Sequence, residues 1–104
     1  MTDKSNEKAI TYISYLKVDE LLELQQPESD GEHDEMLFIV IHQTYELWFK
    51  QILHEIAELQ RTLEHGDTHR SLAILGRVRT IMKTCVGQLD ILETMTPLQF
   101  NTFR

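Results

Sequence analysis

The chain has 104 residues, 41% of them hydrophobic and 26% charged, enough for one small core and too apolar for a disordered polypeptide. Its formal net charge of -7 disfavours nucleic acid and anionic membrane surfaces as partners, and no apolar run approaches the roughly 20 residues of a membrane helix. Four Gly and two Pro leave few turns for an all-β fold, while the single cysteine, Cys85, excludes an intrachain disulfide and fits a reducing, cytoplasmic setting.

Residues 1–9 are polar, lack the apolar stretch of a secretory signal, and read as a flexible N-terminus ahead of a helical segment over 10–104. Between Ile10 and Gln26 the apolar residues mix two spacings. Asp19 suits the cap of a short helix over Glu20 to Gln25, which Pro27 stops. Pro27 to Glu32 has the composition of a loop.

A long helix is predicted from near Asp34 to Gly66, because acidic residues suit its start and no Gly or Pro interrupts it. About 30 residues at 1.5 Å each make a rod of roughly 45 Å. Met36 to Ile41 is apolar all round and predicts burial on every side. Leu47, Trp48, Ile52, Ile56, Leu59 and Leu63 then form a stripe that leaves Glu46, Lys50, Glu55, Glu58 and Arg61 outside it. Glu46 and Lys50, four apart, are spaced for a helix-supporting ion pair.

Gly66 fits a helix C-terminus, and Asp67 or Thr68 can cap the next helix. There Leu72, Leu75, Val78, Met82, Cys85, Leu89 and Leu92 alternate three- and four-residue steps, as in a bundle seam. Gly87 within it costs about 1 kcal/mol against Ala unless another backbone comes close. Thr96-Pro97-Leu98-Gln99 forms a capping box for a further helix. The chain stops about two turns later at Arg104, which predicts a chain cut in mid-element. The fold class expected is all-α, with long antiparallel helices forming a bundle.

Five histidines invite a metal reading, but none has a Glu three positions before it and there is no Cys-x-x-Cys, so no protein-ligated metal site is expected. His42 lies in the most apolar stretch, one turn after Phe38. It is either a core histidine satisfied by a carbonyl or a neutral imidazole presented to a ligand. Trp48 and Phe49 read as packing. Tyr12 and Tyr15, three apart, suit an amphipathic surface or the lip of a partner's pocket. Phe100 and Arg104 repeat the four-residue offset of Phe38 and His42, and a guanidinium over an apolar pocket is suited to a substrate carboxylate.

Three blocks carry a family resemblance. Tyr12-Ile13-Ser14-Tyr15-Leu16-Lys17-Val18-Asp19-Glu20-Leu21-Leu22, the run from His33 to Lys50 (HDEMLFIVIHQTYELWFK), and Glu93-Thr94-Met95-Thr96-Pro97-Leu98 through Phe103-Arg104 resemble, in order, the front part of tryptophan 2,3-dioxygenases. The resemblance implies the N-terminal part of a larger all-helical haem dioxygenase, a homo-oligomer, usually a tetramer. Such an enzyme uses haem b and O2 to convert L-tryptophan to N-formylkynurenine in tryptophan catabolism. It implies that Phe38 and His42 line the distal side of the haem, that His42 hydrogen-bonds the indole N–H as its catalytic contribution, and that Phe100 lines the substrate pocket. Arg104 would pair with the substrate carboxylate, and Tyr12 and Tyr15 would reach in from a neighbouring subunit. The family's axial histidine lies further downstream and matches no residue here. The expectation is therefore a fragment that does not stably bind haem and does not turn over tryptophan alone. The alternative is a non-catalytic helical module that self-associates through its leucine stripes.

Overall fold

The structure, a computed structural model, describes residues 10–95. Among them are five α-helices and no strand: α1 (Tyr12–Leu16), α2 (Val18–Leu21), α3 (Glu35–Glu64), α4 (Thr68–Gly87) and α5 (Leu89–Leu92). The all-α expectation holds, and the dominant unit is an antiparallel hairpin of α3 and α4. The capping box at Thr96 lies outside the described residues.

The hairpin turn follows from local chemistry. Gly66 has φ 74°, a left-handed conformation that a Cβ disfavours. It lets the Asp67 N–H reach back to the Thr62 carbonyl at 2.9 Å and the Gly66 N–H to Leu63 at 3.1 Å, a Schellman closure of α3. Asp67 then caps α4 by accepting from the Arg70 N–H at 3.1 Å. Two helices are thus turned back on each other across three residues.

The seam between them differs from the stripes read in the sequence. On α3 the covered residues Ile41, Tyr45, Trp48, Ile52, Glu55, Leu59 and Thr62 follow alternating four- and three-residue steps. On α4 and beyond, Ser71, Ile74, Val78, Ile81, Cys85, Gln88, Leu92 and Met95 do the same. Both repeats are those of packed helices. Val78, Cys85 and Leu92 belong to the predicted α4 seam, but Leu72, Leu75, Met82 and Leu89 are exposed. On α3, Glu55 is buried whereas Leu47, Ile56 and Leu63 are exposed. Each helix carries two apolar stripes, and the hairpin uses the more polar one. Met36 and Val40 are likewise exposed, so only one face of the predicted all-round buried stretch is covered.

Polar bonds set the register of this seam. The Thr62 and Ser71 hydroxyls meet at 2.7 Å, the Tyr45 hydroxyl donates to the Cys85 carbonyl at 2.9 Å, and Arg77 reaches Glu55 at 3.2 Å. Gln51 also donates to Glu55 at 2.6 Å. Burial pushes the Tyr45 hydroxyl above its ordinary pKa, with the nearby Cys85 thiol adding to the shift. The side-chain oxygen of Gln88 is buried without a hydrogen-bond partner. No atom lies near the position of a Cβ on Gly87, so no neighbouring backbone in the described residues accounts for that glycine.

The N-terminal segment departs from its prediction. Thr11, not Asp19, supplies the first cap, accepting from the Ser14 N–H at 3.1 Å. Lys17, at φ 54°, ends α1 and begins α2, which stops at Leu21 well before Pro27. Asp19 lies in the first turn of α2, with no side-chain cap there. Among the helices α1 touches only α2, so α1 and α2 form an arm beside the hairpin. The radius of gyration, 19.2 Å, exceeds the about 13 Å of a compact chain of this length.

Candidate functional site

Phe38 and His42 lie on successive turns of α3, and their rings meet with centroids 4.3 Å apart and planes 36° from parallel. The His42 Nδ1 lies 2.8 Å from the Phe38 carbonyl oxygen, which can only accept. A neutral ring therefore carries its proton on Nδ1 and leaves Nε2 as an acceptor. His65 makes the same contact with the Arg61 carbonyl, so this bond alone does not distinguish a site. What distinguishes His42 is its surroundings. It is exposed rather than enclosed in a cavity, and it borders a groove of about 410 Å³ lined also by Leu21, Leu24, Gln43, Glu46, Leu47 and Lys50. The expected Glu46–Lys50 ion pair is not among those formed by the described residues, although both residues face this groove.

The groove's outer wall comes from the arm and is held by amides. Gln43 accepts from the Gln25 Nε2 at 2.8 Å and donates to the Leu24 carbonyl at 2.9 Å. At the first residue of α3, the buried Glu35 carboxylate accepts from the N–H groups of Glu28 and Ser29, at 2.8 and 2.9 Å, and from the Ser29 hydroxyl. The Glu28 N–H, then the Ser29 hydroxyl and N–H, hold the Glu35 pKa below the ordinary carboxylate value, against the opposing effect of burial. Nothing in the sequence pointed to Gln43 or Glu35. An amide beside a histidine and an acid at a helix start are common, and their partners are loop backbone atoms.

Tyr12 and Tyr15 are 75% and 68% exposed on the arm and remote from His42's helix in contact terms, so the chain does not bring them to its own site. Phe100 and Arg104 lie outside the described residues. Trp48 is half-buried against α4, whereas Phe49 is exposed and stacks on Tyr45 with centroids 6.0 Å apart, so Phe49 is not core packing. With Ile52, Leu53, Met82, Cys85 and Val86 it lines a second, nearly apolar groove of about 420 Å³. No cluster of three metal-ligating side chains occurs among the described residues, and no described helix is long and apolar enough to cross a membrane.

Fold and site together define an all-helical protein that offers an open aromatic and imidazole wall beside an apolar groove. Comparison with known proteins names the family. The family model described as tryptophan 2,3-dioxygenase matches residues 1–104. A tryptophan 2,3-dioxygenase of Herpetosiphon aurantiacus is 63% identical over 98 residues, covering 93% of this chain and 38% of its own length. One from Anaeromyxobacter sp. is 59% identical, covering 100% of this chain and 39% of its own length, and one from Dictyostelium discoideum is 47% identical, covering 97% and 28%. The chain belongs to the tryptophan 2,3-dioxygenase family. It spans about two-fifths of the length of the first two of these relatives.

Proposed function

We propose that this chain supplies the substrate-facing wall of a haem-dependent dioxygenase that oxidises L-tryptophan with O2 to N-formylkynurenine. The observation that carries the reading is the 2.8 Å contact of His42 Nδ1 with the Phe38 carbonyl, which leaves Nε2 to accept an indole N–H beside the Phe38 ring. Haem, when bound, supplies the oxygen chemistry that no side chain can. The wall fits one face of such a group: an aromatic ring and an imidazole, with no buried charge. Phe38 packs against the flat ligand, and His42 orients the indole by one hydrogen bond. An indole lacking the N–H leaves His42 unpaired and binds worse. Phe100 and Arg104 complete the site, Arg104 through the substrate carboxylate. The exposed Tyr12 and Tyr15 reach a second copy of the chain, which makes the working form a homo-oligomer in the cytoplasm.

The test is a chimera in which this chain is continued by the remainder of the Herpetosiphon aurantiacus relative. The chimera forms N-formylkynurenine, whereas the 104-residue chain with added haem does not. In the chimera, His42→Leu lowers kcat/KM by roughly 10- to 100-fold, the worth of one orienting hydrogen bond. A folded, haem-loaded chimera without activity, or one indifferent to His42→Leu, overturns the reading.

A second reading has its own observation. Leu72, Leu75, Met82 and Val86 on α4, continued by Leu89 at the start of α5, form an exposed apolar stripe that the hairpin does not cover. Such a stripe supports self-association of the chain as a helical module, without catalysis.

A further inference from the structure

We infer that Gln43 is a positioning residue, whose carboxamide latches the N-terminal arm to α3 and so sets both the wall beside His42 and the direction in which α1 presents Tyr12 and Tyr15. The inference rests on the proposed reading for its functional meaning, but not for its geometry. No Cα of α1 or α2 comes within 8 Å of one in α3 or α4, and Leu21 of α2 meets α3 only across the groove. What joins residues 10–26 to α3 by hydrogen bonds among the described residues is the pair of bonds made by Gln43, one from the Gln25 amide and one to the Leu24 carbonyl. Gln25 also donates to the Leu21 carbonyl at 3.0 Å, which ties the end of α2 to the same latch. Leu21 and Leu24 are thereby held against the groove that His42 borders.

The chemistry of the latch is specific to a primary amide. Gln43 must accept from an N–H and donate to a carbonyl at once, which a primary amide does from two adjacent atoms of one planar group. Asn is a methylene too short to keep the reach. Glutamate keeps the acceptor and loses the donor. Leucine keeps the size and loses both. The arm has little apolar packing of its own to restore its place, because Tyr12, Ile13, Tyr15 and Leu22 are all more than half exposed. Loss of the bonds therefore changes orientation rather than fold.

The experiment is a distance measurement on the full chain. Spin labels are placed at Ile13→Cys on the arm and Lys83→Cys on the outer side of α4, in a Cys85→Ser background, and diluted with unlabelled protein. The background gives one narrow distance distribution by pulsed electron paramagnetic resonance. Gln43→Leu widens it about twofold or more, whereas Gln43→Glu and Gln25→Leu, each of which leaves one of the two bonds, give intermediate widths. The double variant Gln25→Leu/Gln43→Leu is no wider than Gln43→Leu alone, because that substitution already removes both bonds of the latch. Helicity by circular dichroism stays unchanged, since Gln43 is absent from the hairpin seam. A broad distribution in the background protein, or a narrow one in Gln43→Leu, overturns the inference. Should Gln43→Leu fail to fold, Gln25→Leu reads the same bond from the arm. The measurement needs neither haem nor turnover, so failure of the latch is distinguishable from failure of the dioxygenase reading.

Discussion

Thr62 and Ser71 bring two hydroxyl protons to three hydrogen-bond contacts: with each other, with the Leu59 carbonyl at 3.0 Å and with the Asp67 carbonyl at 2.8 Å. Both side chains are almost fully buried, at 1% and 3% exposure, so each depends on the other. Thr62→Val is expected to lower stability by about 1 kcal/mol, read from the urea midpoint, because it removes the contacts with the Leu59 carbonyl and Ser71 while Ser71 keeps its bond to the Asp67 carbonyl. Glu35 illustrates the same dependence with charge. Its folded pKa lies below the unfolded value, because backbone and hydroxyl donors favour the carboxylate. Its contribution is therefore complete above the ordinary carboxylate range and is lost as pH falls through the lowered folded value. The melting temperature should drop as pH falls below the ordinary carboxylate range, and Glu35→Gln should flatten that part of the profile. Single residues of this kind were poorly legible. Thr62, Ser71 and Glu35 look like ordinary helix-surface and first-turn residues until the opposing segment is in place.

At the scale of the element, the bounds of α3 and the start of α4 could be read almost to the residue, because Gly66 and Asp67 act through bonds within a few residues of themselves, whereas the end of α4 at Gly87 was not, since the seam runs on through Leu89 and Leu92. Gly66→Ala should cost about 1 kcal/mol, measured by thermal unfolding, since the left-handed turn penalises a Cβ. Which stripe faces the partner helix could not be read. Leucines at three- and four-residue steps show that a seam exists, but not what fills it. The observed seam carries Glu55, Thr62, Ser71 and Gln88, residues that a hydrophobicity pattern assigns to solvent. Glu55 is 4% exposed and held by Arg77 and Gln51. Arg77→Ala should destabilise the hairpin by about 1–2 kcal/mol, the modest figure reflecting the solvated guanidinium. Glu55→Leu should be neutral or stabilising in urea unfolding, because it removes the buried charge along with its need for a partner. The Phe38–His42 pairing was legible from the four-residue offset alone. The latch at Gln43 was not, since its partners are 18 and 19 residues away.

Taken whole, the molecule places polar bonds between its two long helices and leaves leucines, methionine and valine on the outside of α4. If those side chains drive self-association, the chain sediments above its monomer mass of 12.2 kDa, and Leu75→Glu/Met82→Glu returns it to the monomer in analytical ultracentrifugation. The family membership and the helical class were legible from the residue blocks because they depend on local order along the chain. The arm's separation from the hairpin was not, since no pattern in residues 10–26 states which surface they leave bare. The apolar outside of the hairpin also has a calorimetric consequence. The heat capacity of unfolding comes from apolar surface newly exposed to water, and it usually amounts to about 12–15 cal/mol/K per residue. A monomeric hairpin whose leucines are already hydrated has little left to expose, so its unfolding enthalpy should vary unusually weakly with temperature. The same scan on the associated form should show the ordinary steep dependence.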